Sequence, residues 1–181
     1  MHYYNQVFLR DGTPCTLRNP TAEDALALLN FLKITSGETD HLMRYPDEIQ
    51  IRVEEERRFL QEMASKPNAV MIAAVLNGQI VGNAGLTPVA ECDKCRHRAS
   101  FGMSVLQDDW GRGIGTLLTK AILESAQEAG YRQIELEVLA DNHRALALYE
   151  QFGFKIFGTN EHAFYFRNGT YRASHLMSLT I

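Results

Sequence analysis

The stretch Gln107-Asp-Asp-Trp-Gly-Arg-Gly-Ile-Gly-Thr-Leu-Leu118 decides the fold that we predict for this chain. An extended-looking segment, Ala99 to Leu106, precedes it. After it, apolar residues recur at the spacing of one helix face: Ile114, Leu117, Leu118, Ala121 and Ile122. The glycines Gly111, Gly113 and Gly115 are therefore predicted to lie in a loop that leads from a strand into a helix. Glycine lets the backbone take unusual φ angles and lets another molecule come close.

This glycine loop is predicted to bind an anion. The first turn of a helix presents unpaired N–H groups and the positive end of the helix dipole, which favours a phosphate group. Arg112 adds a guanidinium on the same loop. The loop lacks the Gly-Lys pair of a P-loop, and its glycines do not have the spacing of a dinucleotide-binding fingerprint. A glycine-rich helix start that binds no ligand is the alternative interpretation.

A second motif lies downstream and reads Asn142-His-Arg-Ala-Leu-Ala-Leu-Tyr-Glu-Gln-Phe-Gly-Phe154. It resembles the pattern N-x-x-A-x-x-x-Y-x-x-x-G-F of the GCN5-related N-acetyltransferase (GNAT) family. All five defining positions are present: Asn142, Ala145, Tyr149, Gly153 and Phe154. The family's glycine loop follows the pattern Q/R-x-x-G-x-G/A, and this chain matches both glycines but has Trp110 at the first position. The resemblance is most specific from Val105 to Phe154.

The resemblance implies that acetyl-CoA is the cosubstrate and suggests which residues hold it. Backbone groups of Met103 and Val105 would pair with the pantetheine arm, and the N–H of Val105 would donate to the oxyanion of the reaction. The loop and the first helical turn supply further cofactor-binding residues: Gly111, Arg112, Gly113, Ile114, Gly115 and Thr116. Asn142 and Tyr149 complete the cofactor-binding set. Asn142 is also placed to cap the helix of the second motif.

Three residues are candidates for catalysis. The resemblance implies that Tyr149 protonates the departing thiolate, because a phenol remains a donor at neutral pH. A core tyrosine is the alternative, since Tyr149 lies on an apolar helix face. Glu135 and Glu137 share one face of a predicted strand and are candidate bases. A base is needed because alkylamines are mostly charged at neutral pH. A chain of water molecules without a single base is equally compatible.

The acceptor amine cannot be identified from the sequence. In the GNAT family the first two helices and their connection cover the acceptor site, so we expect Glu38 and Tyr45 to contact the amine, with Asp40 and His41 as further candidates. An ordinary charged loop is the alternative. The net charge of −4 argues against a nucleic-acid partner and fits a cationic amine. A non-catalytic acyl-CoA-binding regulatory module on the same fold is the alternative function, and a nucleotide-binding regulator is a third.

Composition predicts one domain over residues 1–181, with 45% hydrophobic residues. No run of about 18 apolar residues and no basic leader occurs, so we expect no membrane partner and a cytoplasmic location. Cys92 and Cys95 resemble half of a zinc site, but the second half is missing, so no metal is expected. The aromatic-rich C-terminal segment, residues 154–171, is a candidate surface for a homodimer.

Strand, helix and turn patterns along the chain give the order β-β-α-α-β-β-β-α-β-α-β-β. Hairpin turns are predicted at Asn77-Gly78 and Asn168-Gly169, because Asn-Gly favours the tight turn of a two-residue loop. The second helix is predicted to begin at Asp47, and the first to end near Ile34. This order indicates an α/β (α+β) fold that resembles the GNAT fold, with a mixed, mostly antiparallel sheet flanked by helices.

Overall fold

A computed structural model describes residues 1–181, and its elements follow the predicted order. The strands are β1 (Tyr4–Phe8), β2 (Pro14–Arg18), β3 (Val70–Leu76), β4 (Gln79–Pro88), β5 (Arg98–Val105), β6 (Gln133–Leu139), β7 (Lys155–Tyr165) and β8 (Tyr171–Thr180). The helices are α1 (Ala25–Glu38), α2 (Val53–Ser65), α3 (Ile114–Glu128) and α4 (His143–Gln151). The predicted fold class, a mixed and mostly antiparallel sheet with flanking helices, is confirmed.

The eight strands form one sheet in the order β1-β2-β3-β4-β5-β6-β8-β7. All neighbouring strands are antiparallel except β5 and β6. The parallel pairing extends only from Arg98–Ser100 to Gln133–Glu135. Beyond it, β5 remains paired with β4 as far as Val105, and β6 with β8 as far as Leu139. The two central strands therefore separate, and the facing backbone edges in this opening are free of ladder partners.

Helix α3 packs against the centre of the sheet because its apolar face has the predicted period. Ile114, Leu118 and Ile122 are almost completely buried against β3, β4 and β5. The approach is close at Gly82, where an added Cβ would lie 3.0 Å from the side chain of Ile114. Helices α1 and α2 cover the other face of the sheet through a smaller cluster that includes Phe31.

Two helix boundaries differ from the prediction. Helix α1 continues past Ile34 to Glu38, and the buried hydroxyl of Thr35 donates to the carbonyl of Phe31 within it. Helix α2 begins at Val53 rather than at Asp47, because a separate 3₁₀ turn takes up Pro46–Glu48. The connection between the two helices, residues 39–52, is therefore an extended segment that crosses one end of the opening.

The hairpin between β3 and β4 turns where predicted, since Asn77 and Gly78 both have positive φ, 48° and 80°. The hairpin of β7 and β8 leaves large aromatic side chains exposed, among them Phe157 and Tyr165. Its role as a dimer surface stays a prediction. No helix combines the length and the apolarity needed to cross a membrane. No group of three or more His, Cys, Asp or Glu side chains is arranged to hold a metal ion.

Candidate active site

The opening between β5 and β6 widens into a cleft of about 780 Å³. One wall is formed by β5 and the glycine loop, and the other by the end of β6 and the first turns of α4. The α1–α2 connection contributes Thr39, His41, Leu42 and Met43 at one end of the cleft. A single cavity therefore joins the two sequence motifs to the segment that was predicted to cover the acceptor.

The glycine loop has the geometry of an anion site. Gly111 and Gly113 have positive φ, 82° and 95°, and Gly113 is the N-cap of α3. Gly115 lies in the first turn of α3, where an added Cβ would meet Leu148 of α4 at 3.2 Å. The cleft is lined by Gly113, Ile114, Gly115 and Thr116, whose N–H groups lie at the start of the helix and lack intrahelical acceptors. Backbone donors and the helix dipole therefore face the same cavity.

The side chain of Arg112 is not among the residues that line this cavity, and its binding of phosphate stays a prediction. Its guanidinium donates to Asp109, to Asp11 at 3.1 Å and to Thr13 at 3.2 Å. These interactions, led by the hydrogen bond to Asp109, raise the pKa of Arg112. The side chain thus fastens the glycine loop to the β1–β2 turn, and only its backbone belongs to the loop that faces the cleft.

Two other arginines line the cleft, and the sequence reasoning did not select them. Arg10, on the β1–β2 turn, lies beside the glycine loop, with its Nη1 3.4 Å from the carbonyl oxygen of Gly111. Arg144, in the first turn of α4, stacks 4.8 Å above the ring of Trp110. The sequence feature that could have identified Arg144 is its position two residues after Asn142 in the second motif. These cations flank the start of α3 from two sides.

Trp110 occupies the position where the family pattern has Gln or Arg. Its indole N–H donates to the carbonyl oxygen of Val105 at 2.8 Å, so the side chain folds back onto the end of β5. Val105 and Met103 line the cleft along the strand edge that is free of a partner. This edge has the position that the resemblance implied for pairing with the pantetheine arm.

Tyr149 lies at the floor of the cleft and is only 6% exposed. Its ring packs against Phe101 and Phe154, with 5.8 Å between ring centroids in both pairs. Burial raises the pKa of Tyr149 to about 12, so the phenol stays protonated at neutral pH. The ring is thus part of the core, as the alternative interpretation expected, while the residue also lines the cleft. The role of Tyr149 as the acid stays a prediction.

The two candidate glutamates of β6 occupy different environments. Glu135 lies at the paired end of the strands, where Arg98 binds both of its carboxylate oxygens and lowers the pKa of the carboxyl group. Glu135 does not line the cleft, and its role as a base stays a prediction that these contacts do not favour. Glu137 does line the cleft and accepts a hydrogen bond of 2.5 Å from the buried hydroxyl of Ser174.

The predicted substrate contacts of Glu38 and Tyr45 stay predictions, and both side chains have partners within the fold. The Glu38 carboxylate accepts from the backbone N–H of Gln107 at 2.9 Å and ties α1 to the segment after β5. The Tyr45 hydroxyl accepts from the backbone N–H of Arg167 at 3.2 Å, and the Arg167 guanidinium stacks 4.0 Å from its ring. Neither residue lines the cleft.

Asn142 caps α4, since its Oδ1 accepts from the N–H of Ala145 at 3.2 Å. It also lines the cleft, so a cofactor contact stays a prediction. Asp141, the preceding residue, lies in the cleft wall beside His41 of the α1–α2 connection. Asp141 was not selected from the sequence, and His41 was only a secondary candidate.

Comparison with known proteins agrees with this geometry. The model of the Acetyltransferase (GNAT) family matches residues 37–154, which include both motifs. The chain belongs to the GNAT family. It is 27% identical over 135 residues to L-amino acid N-acetyltransferase AaaT of Escherichia coli, a match that covers 74% of this chain and 82% of that protein.

Solved GNAT structures have the same fold. An acetyltransferase of the GNAT family from Streptococcus pneumoniae superposes with a TM-score of 0.88 at 32% identity, covering 92% of this chain and 99% of that one. YncA, a putative acetyltransferase from Salmonella typhimurium, was solved with acetyl-CoA as its cofactor. It superposes with a TM-score of 0.80 at 15% identity, covering 92% of this chain and 93% of that one. The family match and the named relatives support acetyltransferase activity in general.

Proposed function

We propose that the protein transfers the acetyl group of acetyl-CoA to a primary amine of a small molecule or a peptide N-terminus. The observation that carries the proposal is the arrangement around the opening of the sheet. A protonated, buried phenol, that of Tyr149, lies in the same cavity as the free edge of β5 and the amide-rich start of α3. Acetyl-CoA can use these three features: a strand edge for the amides of pantetheine, a site for the diphosphate and a proton donor for sulfur.

The residues present fit acetyl-CoA. The free edge of β5 at Met103 and Val105 suits the amide groups of pantetheine, as in the addition of a strand. The amides from Gly113 to Thr116 suit the diphosphate. Arg10 and Arg144 supply cations on either side, in place of the Arg112 side chain. Acetyl-CoA supplies an activated thioester, so holding the two reactants together accounts for much of the acceleration.

The remaining chemical tasks fall to this chain. Tyr149 donates its phenolic proton to the departing sulfur, and the N–H of Val105 donates to the oxyanion. Glu137 is the member of the predicted glutamate pair that reaches the cleft. Glu137 and Asp141 also give the acceptor end of the cleft acidic groups, which favours a cationic amine.

The experiment is to measure CoA release with L-amino acids, spermidine and alanyl peptides as acceptors, for the wild type and for Tyr149→Phe. We expect turnover with at least one of these amines. Tyr149→Phe should lower kcat by roughly 10²-fold, because general acid catalysis contributes about that much or more, while the Kd for acetyl-CoA changes little. Unchanged kcat in Tyr149→Phe would remove the phenol from the mechanism. Tight acetyl-CoA binding without turnover across the panel would favour the non-catalytic binding module.

A further inference from the structure

We propose that His41 accepts the proton of the attacking amine and that Asp141 stabilises the imidazolium that results. The inference rests on the proposed acetyl transfer and names the base that it requires. The pair belongs to two segments that are far apart in the sequence, the α1–α2 connection and the turn between β6 and α4. Both residues line the cleft that contains Tyr149.

The imidazole of His41 is held in place by Thr39. The threonine Oγ1 lies 3.0 Å from Nδ1 of the ring and also accepts from the backbone N–H of His41 at 3.2 Å. Thr39 directly follows the last residue of α1, so the helix end fixes the position of this small turn. The proposal uses the tautomer in which Nδ1–H donates to Thr39 Oγ1, because Nε2 then carries no proton and can accept one.

Nε2 of His41 lies near Asp141 but is not hydrogen-bonded to it. The distance from Nε2 to Asp141 Oδ1 is 3.6 Å, which is longer than a hydrogen bond. Nε2 can therefore bond directly to an amine or to a bridging water, with the Asp141 carboxylate beside it. In this arrangement the carboxylate attracts a cationic amine and the ring nitrogen takes its proton.

Asp141 is itself fixed by Arg172 of β8. The guanidinium contacts Asp141 at 3.2 Å and Asp40 at 3.5 Å, and it stacks 4.3 Å from the ring of Phe166. Two carboxylates thus share one guanidinium. The group carries a net negative charge when His41 is neutral and becomes neutral when His41 takes a proton. The cluster therefore compensates the charge that the reaction places on the imidazole.

The carboxylates predicted as bases are less suitable proton acceptors. Glu135 is bound by Arg98 through both carboxylate oxygens. Glu137 reaches the cleft, but one of its carboxylate oxygens already accepts a hydrogen bond from the buried hydroxyl of Ser174. The imidazole of His41 keeps Nε2 without a hydrogen bond in the fold, so it is the better placed proton acceptor.

The bonds and protons balance without another reactant. The cationic amine first gives one proton to Nε2 of His41, which passes it to solvent. The neutral nitrogen then forms a bond to the carbonyl carbon, the π electron pair of the carbonyl moves to oxygen, and a second proton of the nitrogen passes to Nε2. The carbonyl re-forms as the C–S bond breaks, and the electron pair of that bond leaves with sulfur, which takes the phenolic proton of Tyr149. His41 gives its proton to solvent, and Tyr149 regains one from solvent. The products are the amide and the free thiol of CoA.

The test compares His41→Ala with His162→Ala, in which an exposed histidine of β7 outside the cleft is removed. CoA release is measured with the amine of the panel that the wild type uses best. We expect His41→Ala to lower kcat by about 10²-fold or more, with the Kd for acetyl-CoA unchanged and with partial rescue by added imidazole. His162→Ala should behave as the wild type. Asp141→Asn should lower kcat in the same direction as His41→Ala.

Rescue by imidazole separates a chemical role from a structural one, because a misplaced loop does not regain activity from a soluble base. An unchanged kcat in His41→Ala, or a loss that imidazole does not restore, overturns the assignment. If His41→Ala does not fold, an unchanged kcat in Asp141→Asn overturns it instead. A wild type that binds acetyl-CoA but acetylates no amine overturns the proposed function, whereas active wild type with equally active variants overturns only the role of His41.

Discussion

The indole N–H of Trp110 donates a 2.8 Å hydrogen bond to the carbonyl oxygen of Val105, which joins the glycine loop to the last residue of β5. In the sequence, Trp110 is recognisable only as a departure from the family pattern. In the structure the indole fixes the strand end that frames the cleft, and its face carries the Arg144 guanidinium. One side chain thus couples the strand edge, the loop and the start of α4.

Trp110→Phe keeps an aromatic face and removes this hydrogen bond. We expect the free energy of unfolding to fall by about 1 kcal/mol, the usual net value of such a bond. The KM for acetyl-CoA should rise a few-fold because the end of β5 is less firmly held. Chemical denaturation and initial-rate kinetics check the two effects. Equal stability and equal KM in the variant and the wild type would show that this hydrogen bond does not hold the end of β5 in place.

Arg144→Ala and Arg112→Ala distinguish a cation that faces the cleft from one that is bound within the fold. Loss of Arg144 should weaken acetyl-CoA binding by roughly tenfold, or about 1.4 kcal/mol, and the loss should shrink at high salt. Arg112→Ala is the matched control, because its guanidinium is held by Asp109 and Asp11. It should lower the melting temperature more than the affinity. Calorimetric titration with acetyl-CoA measures the affinity of both variants. A larger loss of affinity in Arg112→Ala than in Arg144→Ala would contradict this assignment.

The elements and the glycine loop could be predicted because their signals are local. The apolar spacing after Gly113 specifies α3, and Asn77-Gly78 specifies a tight turn. No local signal in the sequence predicts how far β5 and β6 pair with each other. The extent of this pairing depends on where β6 aligns with β8 and β5 with β4, and these pairings join distant segments. The opening between the strands therefore became apparent only in the structure.

The polar side chains of the site were harder to assign for the same reason. Glu38 bonds to a residue 69 positions away, and Tyr45 to one 122 positions away. Both residue types are common in substrate contacts, and the sequence does not reveal that their partners lie elsewhere in the fold. The positions of the Arg10 and Arg112 side chains also depend on tertiary contacts. A backbone hydrogen bond of 3.2 Å joins their segments, and which guanidinium faces the cleft depends on that docking rather than on residue type.

Gly113→Ala tests the backbone of the glycine loop. Gly113 has a φ of 95°, and an added Cβ would lie 3.3 Å from Cγ of Arg10. We expect a loss of about 1 to 2 kcal/mol in stability from the positive φ, together with weaker binding of acetyl-CoA. Gly85→Ala is the control, since no atom lies within 4 Å of an added Cβ there and its φ is not in the left-handed region. Equal acetyl-CoA affinity in the two variants would argue against a diphosphate site at the start of α3.

Asp24→Asn tests an ion pair that holds the start of α1 against β2. The Arg18 guanidinium donates to both carboxylate oxygens of Asp24, at 2.7 and 2.8 Å, and the Thr21 backbone N–H donates at 2.7 Å. The hydrogen bond from Arg18, followed by that from Thr21, lowers the pKa of Asp24 from 3.8 to about 2 despite partial burial. At pH 7 we expect the variant to lose about 1 to 2 kcal/mol of stability, a value reduced by solvent screening of a partly exposed pair.

The sign of the pH dependence follows from the lowered pKa of Asp24. The unfolded chain takes up the proton first as the pH falls through 3.8, so the ion pair's contribution is complete above that value and declines toward pH 2. The stability difference between wild type and Asp24→Asn should therefore be constant from pH 7 to about pH 5 and shrink below about pH 4. Urea denaturation across this range measures it, with Asp108→Asn, an exposed aspartate without an ion pair, as the control. A difference that persists undiminished at pH 2 would show that the asparagine acts through packing rather than through loss of charge.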